Sequence, residues 1–182
     1  VARMHRYKGV ETILAAIALL TPQENEKIQY LVAGTGPYLQ TLHEKVKILE
    51  LESQVKFLGS LTDSELVSYY QASDLFLLCS WQEKIEQNVE GFGLVFLEAQ
   101  ACGTPAIGTL SGGIPDAIEN NNGGWLIPEK DSQALTNLLK RFIADPNELT
   151  TQGINARNRV IEHCTWQTYL ENFLKLLEKH HI

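Results

Sequence analysis

Two carboxylates, Glu90 and Glu98, bracket the run Glu90-Gly91-Phe92-Gly93-Leu94-Val95-Phe96-Leu97-Glu98-Ala99-Gln100. Gly91 and Gly93 sit just inside the first carboxylate, and apolar residues fill the rest. The run reads as a loop that turns into the N-terminus of a buried helix. Such an end presents unsatisfied backbone N–H groups and a partial positive charge, which suit an anion. The N–H groups of Phe92, Gly93 and Leu94 are the candidates, because glycine lets the backbone come close to a ligand. The carboxylates repel an anion and suit hydroxyl donors instead. A ligand that carries both phosphates and many hydroxyls is a nucleotide sugar. A strand–helix turn that needs glycine for its own geometry fits the pair equally well.

Other residues can complete such a site. Arg3 and Lys8 flank a strand–helix junction. Arginine forks onto phosphate oxygens and lysine supplies a point charge, so together they can hold a diphosphate and stabilise it as a leaving group. Two solvated surface cations are the plainer account. Glu98 falls about one turn inside the helix among apolar neighbours, where a carboxylate is costly unless it is paired or accepts hydrogen bonds. Ribose hydroxyls would satisfy it, and so would a basic partner within the fold. Glu90 sits in the loop, placed either for the sugar or simply in solvent. Gly34-Thr35-Gly36-Pro37 and Ser111-Gly112-Gly113 are turn sequences of low specificity. The Trp and Tyr residues fall at helical or strand core positions and read as packing.

Composition narrows the classes. The chain has 182 residues, 44% hydrophobic and 20% charged, enough for one domain with a proper core. A net charge of −7 disfavours bulk attraction to nucleic acid or anionic membrane. The three cysteines, Cys79, Cys102 and Cys164, have no metal-ligand spacing. Cys79 and Cys102 lie in apolar contexts and read as reduced core residues, which points to the cytoplasm. The histidines show no metal pairing, and no metal is expected. Val1-Ala2-Arg3 reads as the tail of a strand, so the chain is expected to be a piece of a longer protein.

The elements that must position these residues alternate. Helical periodicity marks residues 10–20, ending near Thr21-Pro22, and residues 38–51. Thr62 with Glu65 forms a capping box for a helix to about Ala72. Asp131, Asp145-Pro146 and Thr165 are candidate starts of three later helices. Short β-favouring runs lie at 28–33, 55–59, 75–79, 105–108 and 124–127, the 75–79 run apolar throughout as in a strand buried on both faces. Residues 81–89 read as a polar loop. Strands alternating with helices over short connections predict an α/β fold, a Rossmann-like parallel sheet with helices on both faces. Ligands of such sheets bind at the C-terminal strand ends. The loops there hold Arg3 and Lys8, Gly34 and Gly36, Glu90 to Gly93, and Ser111 to Gly113.

In order along the chain, Arg3 with Lys8-Gly9, Gly34-Thr35-Gly36-Pro37, Val55-Lys56-Phe57-Leu58-Gly59, Ser73-Asp74-Leu75-Phe76, Glu90 to Glu98, Ala101-Cys102-Gly103-Thr104-Pro105, Gly112-Gly113-Ile114-Pro115-Asp116 and Gly123-Gly124-Trp125-Leu126-Ile127-Pro128 resemble one family. It is the C-terminal, donor-binding half of retaining glycosyltransferases of GT-B architecture, family four. The resemblance implies that Arg3 and Lys8 hold the donor diphosphate, that Glu98 binds the ribose hydroxyls and that Glu90 lies by the donor sugar. It further implies that the amides of Phe92 to Val95 touch sugar and phosphate, and that the Phe57-Leu58-Gly59 strand lies beside the base. Residues 1–182 would then be a nucleotide-sugar donor domain. An N-terminal Rossmann-like domain for the acceptor would be missing, and so would most of the first strand of this one. That strand lies mid-sheet, so an open slot is expected. Two alternatives of other classes are a non-catalytic nucleotide-sugar binding module and a nucleotide-sugar epimerase of the same architecture.

Overall fold

The computed structural model describes residues 1–83 and 88–180. The expected loop at 81–89 therefore falls partly outside the described residues. The elements alternate as anticipated: α1 (Val10–Ala18), α2 (Pro22–Asn25), β1 (Tyr30–Ala33), α3 (Leu39–Ile48), β2 (Val55–Gly59), α4 (Asp63–Ala72), β3 (Phe76–Leu77), α5 (Leu94–Ala101), β4 (Ala106–Thr109), α6 (Ile114–Ala117), β5 (Gly124–Ile127), α7 (Ser132–Ala144), α8 (Asn147–His163) and α9 (Trp166–His180). The named strands pair in parallel, β1 with β2 and β4 with both β3 and β5.

Period-two alternation places side chains in two layers. Around β3, Leu75, Leu77 and Cys79 join the layer formed with α1, α3 and α7, whereas Phe76 and Leu78 face α5. In β4, Ile107 goes to the first layer and Ala106 to the second. Trp125 and Ile127 of β5 side with Ile107, and Leu126 opposes them. Both faces of the sheet are covered, which explains the uninterrupted apolar run at 75–79.

The sheet is not continuous. It falls into a pair, β1–β2, and a triple, β3–β4–β5. A cavity of about 570 Å³ separates them, with Tyr30 and Leu31 on one wall, Phe76 and Leu77 on the other, and Ile17 and Phe142 on the apolar layer. This is the slot expected from the sequence. β3 has a ladder of two residues and is paired with β4 alone. The first residues of the chain leave the slot alongside the end of β1: the Ala2 N–H donates to the Ala33 carbonyl (3.1 Å) and the Met4 N–H to the Thr35 carbonyl (2.9 Å).

Local capping follows the sequence closely. The Thr62 hydroxyl accepts from the Glu65 N–H, and the Glu65 carboxylate accepts from the Thr62 N–H (2.8 Å), closing the expected box. Asp131 accepts from the Ala134 N–H and Thr165 from the Thr168 N–H. Asp145-Pro146 precede α8, with the Asn147 N–H bonded to the Asp145 carboxylate. Thr21 does more than end a helix, because it caps a second, short one through a box with Glu24.

Two readings of the side chains need correction. Trp166 is 81% exposed and Tyr169 is also exposed, so they are not core residues. They lie on α9, which packs against α8 and leaves its apolar stripe exposed. Cys79 is buried as expected, but Cys102 is half-buried, at the end of α5 where the helix leaves the core.

Candidate functional site

The charged residues come from three segments: Arg3 and Lys8 from the stretch before α1, Glu90 from the loop after β3, and Glu98 from α5. The first 3₁₀ turn, Arg6–Lys8, stops at Gly9, whose φ of 71° is left-handed. A Cβ there would collide with the Cys79 carbonyl, so glycine lets this turn lie directly on the end of β3. The Trp81 N–H donates to the Tyr7 carbonyl (2.9 Å) and fixes the turn from the other side.

So held, Lys8 reaches across 82 positions of sequence. Its Nζ lies 2.6 Å from Glu90 Oε2, and each side chain is only 14% exposed. The Ser80 hydroxyl, fully buried, lies 3.5 Å from the same oxygen. The Ser80 carbonyl in turn accepts the buried Thr109 hydroxyl. Glu90 is therefore neither a free loop acid nor unpartnered. Its backbone carbonyl accepts from the Gly113 N–H (3.1 Å). Side chains at Gly112 and Gly113 would strike the carbonyls of Glu90 and Gly91. The glycine pair thus presses the loop after β4 against the loop that opens α5.

Gly93, with φ of 80°, starts α5, and no side chain caps the helix. The first-turn N–H groups of Leu94 and Val95 point out of a helix end that carries partial positive charge. Gly91, Phe92 and Leu94 are exposed around this end, and Leu94 is 60% exposed. Behind it, Gln100 is fully buried and donates to the Ala117 carbonyl (3.0 Å). Arg159 of α8 donates to the Ala117 and Asp116 carbonyls (both 3.1 Å) and to Gln100 (3.3 Å). This polar clasp ties α5, α6 and α8 together under the site.

Glu98 differs from expectation. Phe96, Ala99 and Gln100 form the inward face of α5, which leaves Glu98 exposed one turn beyond Leu94. The cost of burying a charge therefore gives no reason for a partner here. Glu98 nonetheless has one: the Tyr70 hydroxyl donates to its Oε2 at 3.2 Å. Burial pushes the Tyr70 hydroxyl well above the usual phenol range, and the nearby Glu98 charge adds to the rise. The backbone at Val1 lies near both Glu98 and Lys8. Lys8, Glu90 and Glu98 thus surround one region.

Arg3 is exposed and joins no ion pair among the described residues. Gly34 and Gly36 seat the neighbouring segment, since a Cβ at either would collide with Ala2 or Met4. Leu58 lines the slot between the half-sheets. Among the described residues, no group of three or more His, Cys, Asp or Glu side chains is arranged to hold a metal ion. Sequence reading missed Tyr70, which looked like part of an apolar stripe, and Ser80, which carries no local signal. It undervalued Gly112 and Gly113, whose lack of a Cβ matters only once two loops meet.

Residues 1–159 match the family model for glycosyl transferases group 1. The chain belongs to that family. It is 28% identical over 176 residues to the GDP-mannose-dependent alpha-(1-6)-phosphatidylinositol monomannoside mannosyltransferase of Mycolicibacterium smegmatis, covering 97% of this chain and 46% of that protein. Among solved structures, Anabaena HepE in complex with UDP superposes with a TM-score of 0.83 at 27% identity, over 98% of this chain and 47% of that one. The C-terminal domain of a glycosyl transferase group 1 family protein from Francisella tularensis matches with a TM-score of 0.77 at 28% identity, over 90% of this chain and 83% of that one. The chain spans less than half the length of the curated relatives it matches. No helix among the described residues is long and apolar enough to cross a membrane.

Proposed function

We propose that this chain is the donor-binding half of a retaining glycosyltransferase that moves a hexose from a nucleoside diphosphate sugar to an acceptor. The observation that carries the reading is the Lys8–Glu90 pair, which closes the first loop onto the loop that opens α5. The donor diphosphate sits against Lys8, Arg3 and the N–H groups of Leu94 and Val95. The sugar lies by Glu90, Gly91 and Gly93, and the ribose hydroxyls meet Glu98. The base extends towards Leu58 and the Gly34–Gly36 turn.

In the reaction the anomeric C–O bond breaks, and its electron pair leaves with the diphosphate. The new bond forms to the acceptor hydroxyl oxygen, whose proton passes to the departing diphosphate. Lys8, Arg3 and the α5 amides stabilise the charge that grows on the leaving group, so the reading asks for no metal ion. Glu90 shares Lys8 with the donor and turns its carboxylate to the sugar hydroxyls. The acceptor belongs to an N-terminal domain of the full-length protein, and the strand that precedes Val1 fills the slot between the half-sheets. We place the protein in the cytoplasm, where Cys79, Cys102 and Cys164 stay reduced. The test is product analysis of the full-length protein supplied with UDP- and GDP-hexoses. A hexosyl product with the donor's anomeric configuration is expected. Tight binding with neither transfer nor nucleotide release would leave a binding module, and release of an epimerised sugar an epimerase.

A further inference from the structure

An exposed glutamate on a helix surface is ordinarily free to sample many rotamers. Glu98 is not free, because its Oε2 accepts from the Tyr70 hydroxyl at 3.2 Å. Tyr70 itself is fixed. It is 4% exposed, and its ring stands edge-on to Phe76 (5.7 Å), which stands edge-on to Phe96 (5.5 Å). Its backbone carbonyl accepts from the buried Thr104 hydroxyl at 2.6 Å. The phenol therefore belongs to a packed ladder running from α4 through β3 to α5, beside the slot between the half-sheets.

We propose that Tyr70 is a positioning residue for donor recognition, holding one oxygen of Glu98 so that the other faces the ligand's hydroxyls already oriented. The inference rests on the reading that Glu98 accepts from the ribose. A phenol suits the task because it donates and its ring is packed edge-on against Phe76. Burial and then the Glu98 charge hold its proton in place, so the phenol stays a donor. Orienting the carboxylate in advance removes a cost of ordering from binding. It also sharpens discrimination, because a held carboxylate that meets no hydroxyl is left with an unsatisfied oxygen.

The test uses the full-length protein, with uridine and guanosine diphosphates and their 2′- and 3′-deoxy counterparts as calorimetric probes. Wild type is expected to bind the ribo form of its preferred base about tenfold tighter than the deoxy form that lacks the contacted hydroxyl. Tyr70→Phe keeps the aromatic ladder and is expected to melt within a few degrees of wild type. It should weaken the ribo form about three- to tenfold and leave that deoxy form within twofold. Added to Glu98→Ala, it should change nothing further. Equal weakening of ribo and deoxy forms by Tyr70→Phe, or an additive loss in the double variant, overturns the inference while the reading of Glu98 stands. Discrimination that survives Glu98→Ala overturns that reading, and the inference with it.

Discussion

Replacing Lys8 by alanine in the full-length protein separates two roles of one ammonium group. Lys8 neutralises Glu90 at 2.6 Å, with both side chains 14% exposed. Removing one partner of a fully buried pair costs roughly 3–5 kcal/mol. Here residual solvent and the Ser80 hydroxyl relieve part of that, so about 2 kcal/mol is expected. For a domain of this size that lowers Tm by about 4–8 °C. The catalytic effect should be larger. Loss of one charge-stabilising donor at a developing anion costs about 10²–10³ in turnover. The assay pairs thermal unfolding with nucleotide release from the donor. Adding Glu90→Gln to Lys8→Ala should recover part of the lost stability, because no unpaired carboxylate remains, and none of the turnover. Turnover of Lys8→Ala within about threefold of wild type would refute the assignment of Lys8 to the leaving group.

Gly113→Ala tests the contact between the two loops. Gly113 has φ of −90°, so its backbone accepts alanine, and the obstacle is the facing backbone of Gly91 and Phe92. The variant should fold and show donor KM raised about tenfold, the expected reach of a misplaced binding loop, and an unchanged KM would show that the loop gives way freely. Thr62→Ala removes the capping box at the start of α4, and a loss of about 1 kcal/mol is expected by denaturant unfolding, with wild-type stability the contrary result. Burial pushes the Cys79 thiol up to about 12, above its unfolded value. The folded state therefore keeps a proton that the unfolded state loses above about pH 9, so the Cys79 contribution to stability is complete below that pH and fades towards pH 12. Labelling at pH 8 followed by mass spectrometry should modify half-buried Cys102 and Cys164 and spare Cys79, and early labelling of Cys79 would contradict the packing.

The sequence spoke clearly where local chemistry decides. Alternating apolar strands and helices, Thr62 with Glu65, and Asp131 before its helix each carry their signal within a few residues, and the structure has them. It was silent where chain segments far apart must meet. Nothing near Tyr70 says that its hydroxyl ends beside Glu98, and nothing near Ser80 announces Glu90. Glu98 itself was misjudged, since apolar neighbours in sequence said nothing of which helix face they occupy. The three inward positions of α5 are 96, 99 and 100, and position 98 falls outside them. Trp166 and Tyr169 failed in the opposite sense. Their helical stripe is real, but an amphipathic stripe does not name the surface it needs, and α9 leaves it open.

The most direct test of the account is a crystal structure of the full-length protein with a nucleoside diphosphate bound. The phosphates should lie within hydrogen-bonding distance of Lys8 and of the Leu94 and Val95 amides, and a ribose hydroxyl should meet Glu98. A nucleotide seated elsewhere, with Lys8 still closed on Glu90 and Glu98 facing only solvent, would contradict it.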